Sequence, residues 1–175
     1  MGQIIFKQFK ILHIVIVSLT KILISDKLTK TLQGVTMTNA IVTYVQGLQF
    51  VGESSSGHAI VMDGDPEVGG HDTGLRPMEL LLVGLGGCSG MDVISILKKK
   101  KQDVTGLKMN LKGQKSENHP RKFNDIFIEF IVSGRNISEE AVKRAVELSM
   151  NKYCSVKATL EGSATISFHY KLIQE

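Results

Sequence analysis

Cysteine is scarce in this sequence: only Cys88 and Cys154 occur. Two cysteines are too few for the disulfide framework of a small secreted protein, so they favour a reducing, cytoplasmic compartment. The sequence has no CxxC motif and no cluster of cysteine and histidine at zinc-ligand spacing. The histidines are scattered singly, so local spacing predicts no metal site. They are His13, His58, His71, His119 and His169.

A concentrated patch of one charge sign is also lacking. The 21 lysines and arginines against 17 aspartates and glutamates give a net charge of +4, which favours anionic partners only slightly. The densest basic run, Lys98 to Lys101, falls at a predicted helix end, where cations interact favourably with the helix macrodipole. Nucleic-acid binding is therefore not predicted.

The first 36 residues contain no apolar run long enough for a stable membrane span, because Lys10 and His13 interrupt it before the roughly 18 apolar residues that a span requires. The segment starts basic and continues apolar like a signal peptide, but Lys21 follows and no small-residue cleavage pattern is present. Three interpretations of this segment are open. It is a strand-like or amphipathic part of the domain, a targeting segment, or an extension upstream of the natural start. We favour a dispensable extension over residues 1–36 and one domain over residues 37–175, because Met37 opens a self-sufficient remainder.

The remainder predicts an α+β domain. Two β-rich runs, "AIVTYVQGLQFVGE" and "GHAIVMD", indicate a hairpin, and the loop at 64–77 is rich in glycine and proline. A helix over 78–101 follows, then two alternating strands, a helix capped by Ser138, and a last strand. The order ββαββαβ indicates largely antiparallel sheets.

The helix over 78–101 is apolar on nearly every side, which is typical of a buried central helix. Four glycines weaken it, by up to about 1 kcal/mol each relative to alanine. They are Gly84, Gly86, Gly87 and Gly90. Close approach of another backbone is the usual compensation, so we expect a second subunit to cover part of this helix.

The helical phase turns Cys88 and Cys154 toward the interior, so the two thiols could meet. Buried cysteines are ordinarily inert small hydrophobes. Asp92 stands against that interpretation, because it lies one turn after Cys88 in a stretch without other charges and needs a partner when buried. A reactive Cys88 requires nearby cations to lower its pKa. The candidates are Arg76, Arg121, Lys122 and Lys152.

The segments "GLRPMELLLVGLGGCSGMDVISILKK" and "AVELSMNKYCSVKATL" resemble the OsmC/Ohr superfamily, most closely its YhfA-like branch of redox proteins. The resemblance runs from about Val45 to the C-terminus. It implies an intertwined α+β homodimer with active sites at the subunit interface. It also implies that Cys88 attacks an organic hydroperoxide and that Cys154 resolves the product, with an external thiol reductant and no cofactor.

The sequence departs from the Ohr-like pattern at two positions. Met78 occupies the place of the catalytic glutamate, with Glu79 one residue later, and no arginine precedes Arg76. The stretch that carries the family's N-terminal arginine offers Ser55 and His58 instead. Either Asp92, Glu79, His58 and Arg76 substitute for the missing groups, or the thiols serve another chemistry. For Glu79, a helix-capping role is the alternative.

Two other functions therefore stay open. The protein is interpreted either as a non-catalytic dimeric binder of an apolar or acyl ligand with inherited cysteines, or as a dimeric scaffold whose thiols are core residues.

Overall fold

The computed structural model describes residues 37–175, so the predictions for residues 1–36 lie outside the described residues. The described residues form two compact units. The first comprises residues 37–42 and Gly52–Ala59, and the second comprises Thr43–Val51 and Ile60–Glu175.

The strands and helices make an α+β fold, which confirms the predicted class. Three strands come first and form a sheet in the order β1-β2-β3: β1 Ala40–Gln46, β2 Gln49–Ser54 and β3 Ala59–Met62. A 3-10 turn, Pro66–Val68, lies in the loop after β3. The remaining elements are α1 Pro77–Lys99, β4 Asp103–Lys115, β5 Phe123–Arg135, α2 Glu139–Leu148, a π-helical turn Ser149–Tyr153, α3 Ser155–Leu160 and β6 Thr165–Gln174.

The first β-rich run contains one strand more than the sequence predicted. Gly47 adopts a left-handed conformation with φ of +53°, which glycine reaches without steric cost. The chain therefore turns between β1 and β2 where a single long strand was expected. In the first unit, Ser54 N–H donates to the carbonyl of His58 at 3.1 Å, which closes the turn between β2 and β3.

The second unit is built on the sheet β4-β5-β6. β4 and β5 pair antiparallel, as predicted for neighbouring strands, whereas β5 and β6 pair in parallel. The parallel pair arises because α2, the π-helical turn and α3 carry the chain across the sheet between these strands.

One face of this sheet packs against α1 and α2 and forms the core. The predicted inward alternation of β5 is confirmed, since Ile126, Ile128, Phe130 and Val132 are all buried. Ser138 caps α2 as predicted, because its hydroxyl accepts from the Ala141 N–H at 3.3 Å.

The glycines of α1 divide between its two faces. Gly86 and Gly90 are buried, and a Cβ atom at either would meet Leu111 or Met109 of β4 at about 3 Å. Gly84 and Gly87 are exposed and would meet nothing within 4 Å. Within this single chain, Gly86 and Gly90 are the two glycines of α1 that approach a neighbour closely, and the neighbours are side chains of the sheet.

The loop before α1 is organised by Asp63, which is 2% exposed. Its carboxylate accepts hydrogen bonds from the N–H groups of Gly64, His71 and Thr73 and from the Thr73 hydroxyl, at 2.6 to 3.1 Å. The hydroxyl and then the N–H donors hold the pKa of Asp63 down at about 2, against the opposing effect of burial. This buried carboxylate fixes the chain that leads into α1.

Among the described residues, α1 is long and apolar enough to cross a membrane by length and composition alone. Core helices of globular domains meet the same criteria. In the second unit, Leu85, Val93 and Leu97 of α1 are fully buried in the core.

Candidate functional site

α1 carries the first thiol of the site and a carboxylate one turn later. Cys88 and Asp92 are four residues apart on a regular helix, so their side chains lie on the same face. Both are half-buried. They border the core, where Leu85, Ser89 and Val93 of the same helix are fully buried.

The second thiol lies where α2 ends. α2 continues into the π-helical turn, which closes through a hydrogen bond from Cys154 N–H to the carbonyl of Ser149 at 2.9 Å. Cys154 itself is extended and caps α3, and its Sγ accepts from the Lys157 N–H at 3.4 Å. The side chain of Cys154 is only 4% exposed, so it points into the second unit.

These elements bring Cys88, Asp92 and Cys154 together. The Sγ atoms of both cysteines and a carboxylate oxygen of Asp92 all lie within 4.8 Å of one another. Both thiols are free. We call these three residues the thiol–carboxylate cluster. Local spacing did not indicate a shared set of ligand-type atoms, because Cys154 joins from a distant part of the chain.

Ser149 is a site residue that the sequence analysis did not single out. Its hydroxyl lies 3.2 Å from Asp92 Oδ2 and 3.1 Å from the carbonyl oxygen of Ser89. Ser149 is fully buried, so its proton is shared between these two acceptors. The available signal is a serine one turn after Ala145 and Val146, which are both buried, so a polar side chain ends an otherwise apolar row.

Burial, with smaller contributions from the neighbouring Cys88 and Asp92, raises the pKa of the Cys154 thiol to about 11. The Lys157 N–H opposes this shift, because it stabilises the thiolate. Cys154 is therefore a neutral thiol at pH 7, and a neutral thiol is a poor nucleophile.

Two of the predicted supporting residues serve the start of α1 instead. Glu79 Oε2 accepts from the Arg76 N–H at 2.9 Å, which is the capping role stated as its alternative. The Arg76 guanidinium pairs with Asp72 at 2.7 Å and with Asp65 at 3.5 Å. These carboxylates compensate its charge within the loop, and they raise its pKa.

The remaining candidates have other partners. His58 belongs to the first unit, where its Nδ1 lies 3.3 Å from Ser56 Oγ. In the second unit, Lys122 Nζ donates to the carbonyl of Ser163 at 3.2 Å, and Lys152 Nζ lies 5.5 Å from the Tyr153 ring centroid. Arg121 is exposed in the loop after β4. The structure thus brings Cys88, Cys154 and Asp92 together and gives these candidate cations no contact with them.

Comparison with known proteins agrees with this architecture. A sequence profile described as OsmC-like protein matches residues 70–169. Protein YhfA of Escherichia coli strain K12 is 46% identical over 134 residues, covering 77% of this chain and 97% of that protein.

Solved structures share the fold at lower identity. An OsmC-like protein from Mycoplasma pneumoniae is 20% identical with a TM-score of 0.68, over 79% of this chain and 99% of that one. The organic hydroperoxide resistance protein OhrB of Bacillus subtilis is 16% identical with a TM-score of 0.53, over 78% and 98%. From the profile and from the identity to YhfA, this chain belongs to the OsmC-like protein family.

Proposed function

We propose that this protein is a thiol-dependent redox protein that reduces organic hydroperoxides through Cys88 and Cys154. The observation that carries the proposal is the separation of the two free thiols, which lie within 4.8 Å of each other. A disulfide bond between sulfurs is about 2 Å long, so the remaining gap is of the size that side-chain rotation covers. The shared fold with an organic hydroperoxide resistance protein supports the choice of substrate class.

The reaction begins at Cys88, because it is partly exposed whereas Cys154 is buried. The Cys88 thiolate attacks one oxygen of the peroxide, the O–O bond breaks, and the alkoxide leaves and takes up a proton as the alcohol. Cys88 becomes a sulfenic acid. Cys154 then attacks the Cys88 sulfur, and its thiol proton leaves with the sulfenic hydroxyl as water.

The environment of Cys154 supports its place as the second thiol. Because burial keeps its pKa near 11, Cys154 carries its proton until the sulfenic acid forms beside it. Asp92, held by the Ser149 hydroxyl, can take up that proton and pass it to the departing hydroxyl, which leaves as water. An external thiol reductant of the reducing cytoplasm then restores both thiols.

Single-turnover peroxide consumption tests the proposal. The reduced chain should consume one equivalent of organic hydroperoxide and form a disulfide. Cys154→Ser should also consume one equivalent but stop at a sulfenic acid, which dimedone traps, and Cys88→Ser should consume none. The two variants are matched controls for each other. Consumption by Cys88→Ser at the rate of the unchanged chain overturns the proposal.

An exposed apolar face of α1 supports a homodimer as the working form. Val83 and Met91 are 55% and 75% exposed, and the exposed Gly84 and Gly87 lie between them on the helix. An apolar stripe of this kind is typical of a protein–protein contact. Cys88 follows Gly84 by one turn, so it lies at the border of this face. A second copy packed on α1 would therefore adjoin the thiol–carboxylate cluster.

A non-catalytic binder is the second candidate, favoured by an apolar cavity of about 320 Å³ in the second unit. Its apolar lining includes Met78, Leu81, Phe123, Ile126, Leu160 and Ala164, and Arg121 and Lys122 also border it. Such a cavity suits an acyl chain with a carboxylate at the basic end. A displacement assay tests this alternative. A fatty acid should displace a bound fluorescent acyl probe, and Cys88→Ser should change neither probe binding nor peroxide consumption.

A further inference from the structure

We propose that the thiol–carboxylate cluster binds one zinc ion through Cys88 Sγ, Cys154 Sγ and a carboxylate oxygen of Asp92. These atoms lie within 4.8 Å of one another. Thiolate sulfur and carboxylate oxygen are both ordinary zinc ligands, and three protein ligands with one open position form a common type of zinc site.

The separation of the ligand atoms fits such a site after a small contraction. Zinc–sulfur bonds of about 2.3 Å and a zinc–oxygen bond of about 2.1 Å in a tetrahedron put the ligand atoms roughly 3.6 to 3.8 Å apart. Each pair therefore has to close by at most about 1.2 Å, which rotamer changes supply. Cys88 and Asp92 share one face of α1, and Cys154 reaches them from the chain that follows α2.

Two hydrogen bonds orient the ligands in their anionic forms. The Ser149 hydroxyl lies 3.2 Å from Asp92 Oδ2, and the Lys157 N–H donates to Cys154 Sγ at 3.4 Å. Outer partners of this kind fix the ligand geometry, and their loss typically weakens metal binding by 10 to 100-fold. Ser149 is thus a positioning residue for the metal, although it has no atom in the ligand set.

Charge and ligand softness favour zinc over magnesium and calcium. When ionised, the three ligands place three negative charges together. Among the candidate cations, Arg76, Lys122 and Lys152 have their contacts elsewhere, and Arg121 is exposed. A divalent cation offsets this charge. Thiolate ligands disfavour magnesium and calcium, which prefer oxygen. The fourth position falls to water, because Cys88 and Asp92 are only half-buried.

Zinc would also regulate the peroxide chemistry, and this part rests on the proposed function. The same sulfur lone pairs bind the metal and form the disulfide, so the two states exclude each other. Oxidation of the zinc form converts one hydroperoxide, two thiolates and two protons into alcohol, water and the disulfide, with release of Zn²⁺. Zinc is therefore expected to inhibit peroxide reduction until it is displaced.

The test is a titration of the reduced, metal-free full chain with Zn²⁺ against a chromophoric chelator, and with Co²⁺ as a spectroscopic probe. We expect one ion per chain, thiolate-to-cobalt charge-transfer bands with intense tetrahedral visible bands, and no competition by Mg²⁺. Cys88→Ser and Cys154→Ser should each remove the charge-transfer intensity of one thiolate. Ser149→Ala should weaken binding by about 10 to 100-fold.

Asp125→Asn is the matched control, because Asp125 is an exposed carboxylate at the start of β5. It should bind zinc like the unchanged chain, whereas Asp92→Asn should bind it at least tenfold more weakly. The absence of zinc binding by the folded, unchanged chain overturns the inference, and so does a Co²⁺ spectrum without thiolate bands. Neither result depends on whether a variant folds.

Peroxide consumption by the metal-free chain separates this inference from the proposed function. If the metal-free chain reduces peroxide and binds no zinc, the redox function stands and the zinc site fails. If it binds zinc and is inactive toward peroxide even without metal, the site stands and the redox function fails. Inhibition by one equivalent of zinc supports both.

Discussion

Gly87 and Gly90 lie one turn apart in α1, but Gly87 is exposed and Gly90 is buried. Alanine at each should therefore separate self-association from folding. A Cβ atom at Gly87 meets nothing within 4 Å in the single chain, whereas one at Gly90 meets Met109 Cε at 2.9 Å. Alanine is favoured over glycine inside a helix by about 0.8 to 1.0 kcal/mol. Gly87→Ala should therefore raise the free energy of unfolding of an isolated chain by about 1 kcal/mol.

Gly87→Ala should weaken self-association, although it stabilises the isolated chain. If a second copy packs on the exposed face of α1, the added methyl group of Gly87→Ala meets the partner where a glycine allowed close approach. We expect the dimer dissociation constant to rise at least tenfold, which corresponds to about 1.4 kcal/mol. Gly90→Ala points into the chain's own core, where the flexible end of Met109 has to move, so its dissociation constant should not change.

Sedimentation velocity over a range of protein concentrations measures the dissociation constants. Urea unfolding at concentrations where the chains are monomeric measures the stabilities. A Gly87→Ala chain that is more stable and associates as tightly as the unchanged chain would refute the reasoning, because it would show that this face stays in water. Weaker association with Gly90→Ala would equally contradict the assignment of faces.

Three further predictions concern the fold that holds the site. Asp63→Asn should destabilise the protein at neutral pH. Because the pKa of Asp63 is lowered from 3.8 to about 2, the stabilisation by its carboxylate is complete above about pH 4 and is lost as the pH falls through 2, so acid-unfolding curves of the two chains should converge there. Leu85→Ala should lower the free energy of unfolding by about 2 to 5 kcal/mol, because Leu85 is fully buried, as urea unfolding would show. Ser138→Ala should cost about 0.5 to 2 kcal/mol through loss of the α2 cap, measured by thermal unfolding, and Ser163→Ala in an exposed turn is a control expected to have little effect.

Features that depend on neighbouring residues could be predicted from the sequence. The inward alternation of β5 and the Ser138 cap of α2 follow from local patterns, and the structure has both. The turn at Gly47 was missed, because a lone glycine in a strand-like run is equally compatible with a bulge or a break. The parallel pairing of β6 with β5 was missed for a different reason, since it depends on how the intervening helices cross the sheet.

The candidate site also combines features that local sequence patterns predict with features that depend on how separate elements pack. Helical phase predicted that Cys88 and Cys154 both face the interior, but it contains no information on the distance between two separate elements. The hydrogen bond from Ser149 to Asp92 joins α1 to the end of α2, so it depends on the packing of the two helices. Glu79 had a capping and a catalytic interpretation, and the hydrogen bond from Arg76 N–H supports capping.

The π-helical turn makes the second thiol sensitive to chain length. Ser149 accepts the Cys154 N–H through its carbonyl, and its side chain contacts Asp92, so a single residue sets both the position of the sulfur and that of the carboxylate. A π turn holds one residue more than an α turn. Deleting one residue between Ser149 and Cys154 would restore α-helical spacing and rotate the chain beyond the deletion by roughly 100°. Deletion of one residue here would therefore move the two thiols apart while both cysteines stay in the sequence.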